Sequence, residues 1–240
     1  MSQPASSPSG LDRRMLLGAG ASLVLTGAVV GGSANAQLSE AERDALTPDA
    51  VLDRLLAGNE RFLQGASPHR DFLAEQQASA AGQFPMAALL SCIDSRAPAE
   101  IVMDTGIGDV FNARVAGNVV NDDILGSLEF ACAVAGAKVV MVIGHTACGA
   151  IKGAIDGAEL GHLTGLLAGI APAIDATPHD GERGSGDAAF VDAVAATHVA
   201  RSVTLIREQS PVLRELEEAG TIRIVGAMYD LADGRMRLTA

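Results

Sequence analysis

Two rhythms of apolar residues run through this 240-residue chain. Short unbroken runs, "FPMAALLSC" (84–92), "VFNARV" (110–115) and "KVVMVIGH" (138–145), have the length of strands buried on both faces. Between and after them, apolar residues recur at helical spacing. "TPDAVLDRLLAGNERFLQG" (47–65) opens with a Thr47 cap and Pro48 in the first turn, and ends at Gly65. "DDILGSLEFACAVAGA" (122–137) predicts a helix capped by Asp122 or Asp123. The stretches 158–174 and 192–220 predict further helices, and "ATPHDGERGSGD" (176–187) a polar loop. "TIRIVGAMYDLADGRMRLTA" (221–240) reads as strand, turn and strand, with "ADG" as the turn. Buried strands alternating with helices predict one α/β domain with a mostly parallel central β-sheet flanked by helices.

The first 36 residues break this pattern. Arg13 and Arg14 precede an apolar stretch rich in glycine and alanine, and "ANA" stands just before Gln37. That order describes a twin-arginine export signal, weighed against an uncleaved membrane anchor, with a mature single domain over 37–240. The mature protein is then expected to be periplasmic or otherwise exported, and free of the membrane once the signal is removed. Removing the leader takes away two arginines and one aspartate, which moves the formal net charge from −12 to −13. So acidic a surface, with Lys138 and Lys152 as its only lysines, argues against a nucleic-acid partner.

The three cysteines, Cys92, Cys132 and Cys148, do not form a disulfide framework. Cys132 lies in an apolar helical pattern and reads as a small core residue. Cys92 closes one predicted strand and His145 another, and a parallel sheet puts both ends on one edge. Cys148 follows His145 by three residues, near the start of the next predicted helix, where a thiolate is favoured. Two thiolates and an imidazole make a zinc site with one open position, the pattern of catalytic rather than structural zinc. Asp94 and Arg96 stand beside it in "CIDSR": the arginine can grip the carboxylate in a bidentate pair and keep it ionised.

"CIDSR" followed by "HTAC" resembles the β-class carbonic anhydrase pattern, and "LLAGNERF", "RVAGN", "GSLEFA", "SPVL" and "VGAMYDLADG" extend the resemblance over nearly all of the mature chain. The resemblance implies a β-carbonic anhydrase-like fold and zinc-dependent, reversible hydration of CO2 to bicarbonate and a proton. It assigns Cys92, His145 and Cys148 as zinc ligands and Asp94 and Arg96 as the catalytic pair, with Asp94 a possible fourth ligand in a closed state. It places Gln83, Phe111 and Phe130 against the substrate. Gln83 favours the plant-type branch, and Phe130 stands where that branch often has tyrosine. It also implies a homodimer or dimer of dimers. Two thiolates neutralise the metal, so its water is acidified less than on a three-histidine zinc, and activity is expected to climb through mildly alkaline pH. Two other readings fit the same residues: a carbonyl sulfide or carbon disulfide hydrolase, and a zinc-binding protein without turnover. The histidines His69, His162, His179 and His198 read as ordinary surface or core residues.

Overall fold

This computed structural model describes residues 37–239. The leader expected over residues 1–36 lies outside the described residues. Helix α1 (Glu40–Asp44) opens on a Ser39 capping box, and α2 (Pro48–Leu63) on the expected Thr47 cap, with Pro48 in its first turn. Then follow α3 (Phe72–Ser79), β1 (Ala87–Ser91), α4 (Ala99–Val102), β2 (Val110–Arg114) and α5 (Asp122–Glu129). Strand β3 (Val139–His145) leads to α6 (Gly149–Ile155), α7 (Gly161–Ala168), α8 (Ala171–Ala176), α9 (Ala188–Gln209) and α10 (Pro211–Glu218). The chain closes with β4 (Arg223–Tyr229) and β5 (Met236–Leu238).

The five strands form one sheet in the order β2-β1-β3-β4-β5. The first four are parallel, and β5 returns antiparallel to β4 through the predicted turn. Strand residues alternate between two cores, as a pleated sheet requires. Ala87, Leu89, Met141 and Ile143 pack with Val51, Leu52 and Leu55 of α2 on one face. Ala88, Leu90, Val140 and Val142 pack with Leu125 and Leu128 of α5 and Val199, Val203 and Ile206 of α9 on the other. Every residue of β3 is buried, which accounts for its unbroken apolar sequence. Among the described residues α9 alone is long and apolar enough to cross a membrane; half of that apolar stretch is buried.

The helix predicted over 122–137 is capped by Asn121 instead of Asp122 or Asp123. Asn121 is extended, and its side-chain oxygen accepts from the Ile124 N–H. The two aspartates fall in the first turn, where negative charge is also favoured. After Glu129 the backbone widens into a π turn over Phe130–Val134. The stretches 158–174 and 192–220 are each two helices rather than one. Gly169 and Ile170 separate α7 from α8, and Ser210 ends α9 and caps α10, whose first residue, Pro211, cannot continue the preceding helix.

Candidate metal centre

Strand order fixes where chemistry can gather. From β1 the chain moves to β2 on one side and then to β3 on the other, so the direction of winding reverses between β1 and β3. The crevice at the carboxyl ends of such a strand pair is the usual ligand site of an open α/β sheet. Ser91 is in register with Ile143, so Cys92, just past the end of β1, is level with Gly144 and next to His145. Cys148 caps α6 three residues later.

The structure brings these three side chains together. All three are buried, and the two sulfurs and a ring nitrogen lie within 4.8 Å of one another. The sulfurs are 4.0 Å apart, about twice a disulfide bond length of ~2.05 Å. Two sulfurs each ~2.3 Å from a tetrahedral zinc would stand about 3.8 Å apart. The His145 Nδ1–H donates to the Thr146 carbonyl at 2.9 Å, which leaves Nε2 as the lone-pair nitrogen. That Nε2 is buried and has no hydrogen-bond partner among the described residues. An orphaned imidazole nitrogen beside two free buried thiols is a donor set that suits a borderline-soft divalent cation.

The two thiols titrate as one coupled pair, because the thiolate that forms first is held by the proton the other sulfur keeps. Hydrogen bonding from the Cys148 thiol lowers the Cys92 pKa most, against the cost of burial, with help from His145 and the Gly117 and Asp94 backbone. Cys148, the donor in that contact and itself buried, is pushed up. The Gly117 N–H points at the Cys92 sulfur at 3.3 Å. For His145, burial opposes protonation, but Cys92, the Thr146 carbonyl and Asp94 outweigh it and raise the pKa. Cys132 sits in the core as read from the sequence, its pKa pushed up to about 12 by burial.

Asp94 stands at the lip of the cluster. Its Oδ2 is 3.8 Å from the His145 Nε2. Arg96 grips both of its oxygens, Nε to Oδ1 at 2.9 Å and Nη2 to Oδ2 at 2.7 Å, and its backbone N–H adds a third contact at 2.9 Å. Hydrogen bonding by Arg96 holds the Asp94 carboxyl well below the usual carboxylate range, so it is an acceptor only. Three residues that sequence reasoning left out support the cluster and its surroundings. Arg114 donates to the carbonyls of Cys92 at 2.9 Å and Asp94 at 2.7 Å. Its signal was a lone charge inside an apolar strand. Gly117, at φ 66°, brings its N–H against the sulfur. Asp192 accepts from the Ala147 N–H, and its 45-residue separation leaves no trace in the sequence.

Gln83, Phe111 and Phe130 are not gathered with this cluster. Gln83 is exposed ahead of β1, in a groove with Ser79, Ile107 and Gly108, at the sheet's opposite edge. Phe111 is in register with Ala88, four residues short of Cys92, or about 13 Å along the strands. It meets Phe130 edge to face, with ring centroids 6.1 Å apart, beside a groove along β2 and α5.

Residues 87–236 match the family model described as carbonic anhydrase. The chain is 36% identical over 194 residues to carbonic anhydrase 2 of Mycobacterium tuberculosis, covering 78% of this chain and 91% of that one. It is 35% identical over 193 residues to the carbonic anhydrase of Mycolicibacterium smegmatis, covering 80% and 93%. Its fold is similar to that of the β-carbonic anhydrase CafA of Aspergillus fumigatus, with a TM-score of 0.61 and 26% identity over 79% of this chain and 90% of that one. The β1–β3 crevice with its Cys/His/Cys cluster thus sits within a chain that belongs to the carbonic anhydrase family, in its β class.

Proposed function

We propose that this protein is a zinc enzyme that interconverts CO2 and water with bicarbonate and a proton. The observation that carries this reading is the buried triangle of Cys92, His145 and Cys148 with the Asp94–Arg96 pair at its lip. Three protein ligands, instead of four, leave a position for solvent. When bound, zinc supplies a Lewis acid that makes a hydroxide nucleophile available near neutral pH. Asp94, ionised and unable to donate, accepts a hydrogen bond from the attacking oxygen and so aims its lone pair at the carbon of CO2. Arg96 keeps Asp94 charged and, by occupying both carboxylate oxygens, holds it off the metal, which favours the open state. Cys92 and Cys148 are buried in one apolar cluster with Val119, Ile151 and Phe190, which keeps bulk water from the sulfurs.

The placement of Gln83, Phe111 and Phe130 supports a homodimer as the working unit. One protomer does not bring them to its own metal site, whereas β2 is an edge strand open to a second copy. For the leader, we propose a twin-arginine signal over 1–36 and an exported domain from Gln37; the support is the order of paired arginines, apolar stretch and "ANA" in the sequence. Stopped-flow CO2 hydration by the chain starting at Gln37, with zinc counted per chain, tests the activity. The reading expects turnover that climbs through mildly alkaline pH and one zinc per chain. A zinc-loaded protein without hydration activity would overturn it.

A further inference from the structure

We propose that Asp192 is a positioning residue that holds the turn between His145 and Cys148 and thereby sets the spacing of two metal ligands. The inference rests on the reading of Cys92, His145 and Cys148 as the ligand set. Ala147, midway through "HTAC", takes φ 53°, a left-handed conformation that alanine disfavours. It is exposed, so packing of its own methyl does not hold it there. What holds it is a 2.8 Å hydrogen bond from its N–H to the Asp192 Oδ1 on α9. From the other side the turn is tied to β4 and the residues after it: the Thr146 N–H donates to the Tyr229 carbonyl at 3.0 Å, and the Leu231 N–H donates to the Thr146 Oγ at 2.9 Å. The Thr146 carbonyl in turn receives the His145 Nδ1–H.

Asp192 is itself rigidly mounted. Its neighbours Val191 and Val194 are fully buried in the cluster that also contains Cys92 and Cys148. Movement of Ala147 out of the left-handed region would rotate the Cys148 peptide and carry its sulfur away from Cys92 and His145. Outer-shell partners of this kind change metal affinity by about 10–100-fold when removed.

The test is zinc affinity of the full chain, measured by titration of metal-free protein against a chromophoric chelator, together with the visible spectrum of the cobalt-substituted protein. D192A is expected to bind zinc about 10–100-fold more weakly and to alter the cobalt bands. D192N keeps an acceptor oxygen and is expected to stay within about threefold of the unaltered chain, with an unaltered spectrum. D192A/A147G is expected to regain most of the loss, because glycine takes positive φ freely. A147G alone keeps its affinity and melts higher without metal, a control that holds even if D192A does not fold. D192A matching the unaltered chain, D192N falling as far as D192A, or A147G losing affinity would each overturn the inference. Zinc stoichiometry of the unaltered chain tests the ligand set separately.

Discussion

Replacing Gly117 by alanine puts a methyl group where the metal centre has no room for one. An added Cβ would lie 2.7 Å from Ile170 Cδ1 and 3.2 Å from Ala150 Cβ. Ile170 is fully buried, so its side chain has little freedom to yield. The backbone adds a second cost, because Gly117 sits at φ 66°. Left-handed strain of about 1–2 kcal/mol and overpacking of about 1–3 kcal/mol together give a loss of roughly 2–5 kcal/mol. For a domain of this size each kcal/mol is worth about 2–4 °C, so the metal-free G117A protein should melt about 4–20 °C lower. The same shift pulls the Gly117 N–H away from the Cys92 sulfur, now 3.3 Å distant, so zinc should also be lost more readily to a chelator. G165A is the matching control: Gly165 lies inside α7, and beyond its chain neighbours and its own helix backbone no atom of the described residues lies within 4 Å of the added Cβ, so alanine should be neutral or stabilise by up to about 1 kcal/mol. Thermal unfolding by circular dichroism reads both variants. If G117A melts within about 2 °C of the unaltered chain, the account of this turn is wrong.

Three further outcomes follow from the same geometry. D94N should keep one zinc per chain while hydration measured by stopped flow falls about a hundredfold or more, since an amide in place of the ionised carboxylate also donates; full activity would remove Asp94 from the mechanism. R114A, which frees the carbonyls of both Cys92 and Asp94, should weaken zinc binding about tenfold or more by chelator competition. His198 is 2% exposed, and burial lowers its pKa from 6.5 to about 4. The unfolded chain takes up this proton as pH falls below 6.5 while the folded chain does not, so stability is lost between 6.5 and about 4 and amounts to about 3 kcal/mol below that window. Denaturant unfolding of metal-free H198L at pH 7 and pH 4 should show a pH dependence smaller by about that amount, and an unchanged dependence would contradict it.

The parts of this structure that were legible in the sequence are those set by burial and periodicity. Residues 138–145 announce a central strand because neither face meets water, and Cys92 and His145 are visible as a site because parallel strands deliver their ends to one edge. Asp94 and Arg96 are close in sequence, and their pairing follows from charge alone. Long-range contacts were not legible. Ala147 carries no sign of its left-handed turn, and the carboxylate that holds it arrives from a helix 45 residues away. Asn121 took the cap from its aspartate neighbours through a backbone angle, not through composition. Phe111 lies along β2 at the level of Ala88, so a residue assigned to the substrate by family likeness stands apart from the metal site within the chain.

The central claim is that Cys92, His145 and Cys148 together hold a single catalytic zinc. Its most direct test is zinc per chain and CO2 hydration measured on one preparation of the unaltered chain and of C92S, H145A and C148S. The account predicts one zinc and rapid hydration in the unaltered chain, with both lost in each variant. Any of the three variants that retained full zinc and full turnover would contradict it.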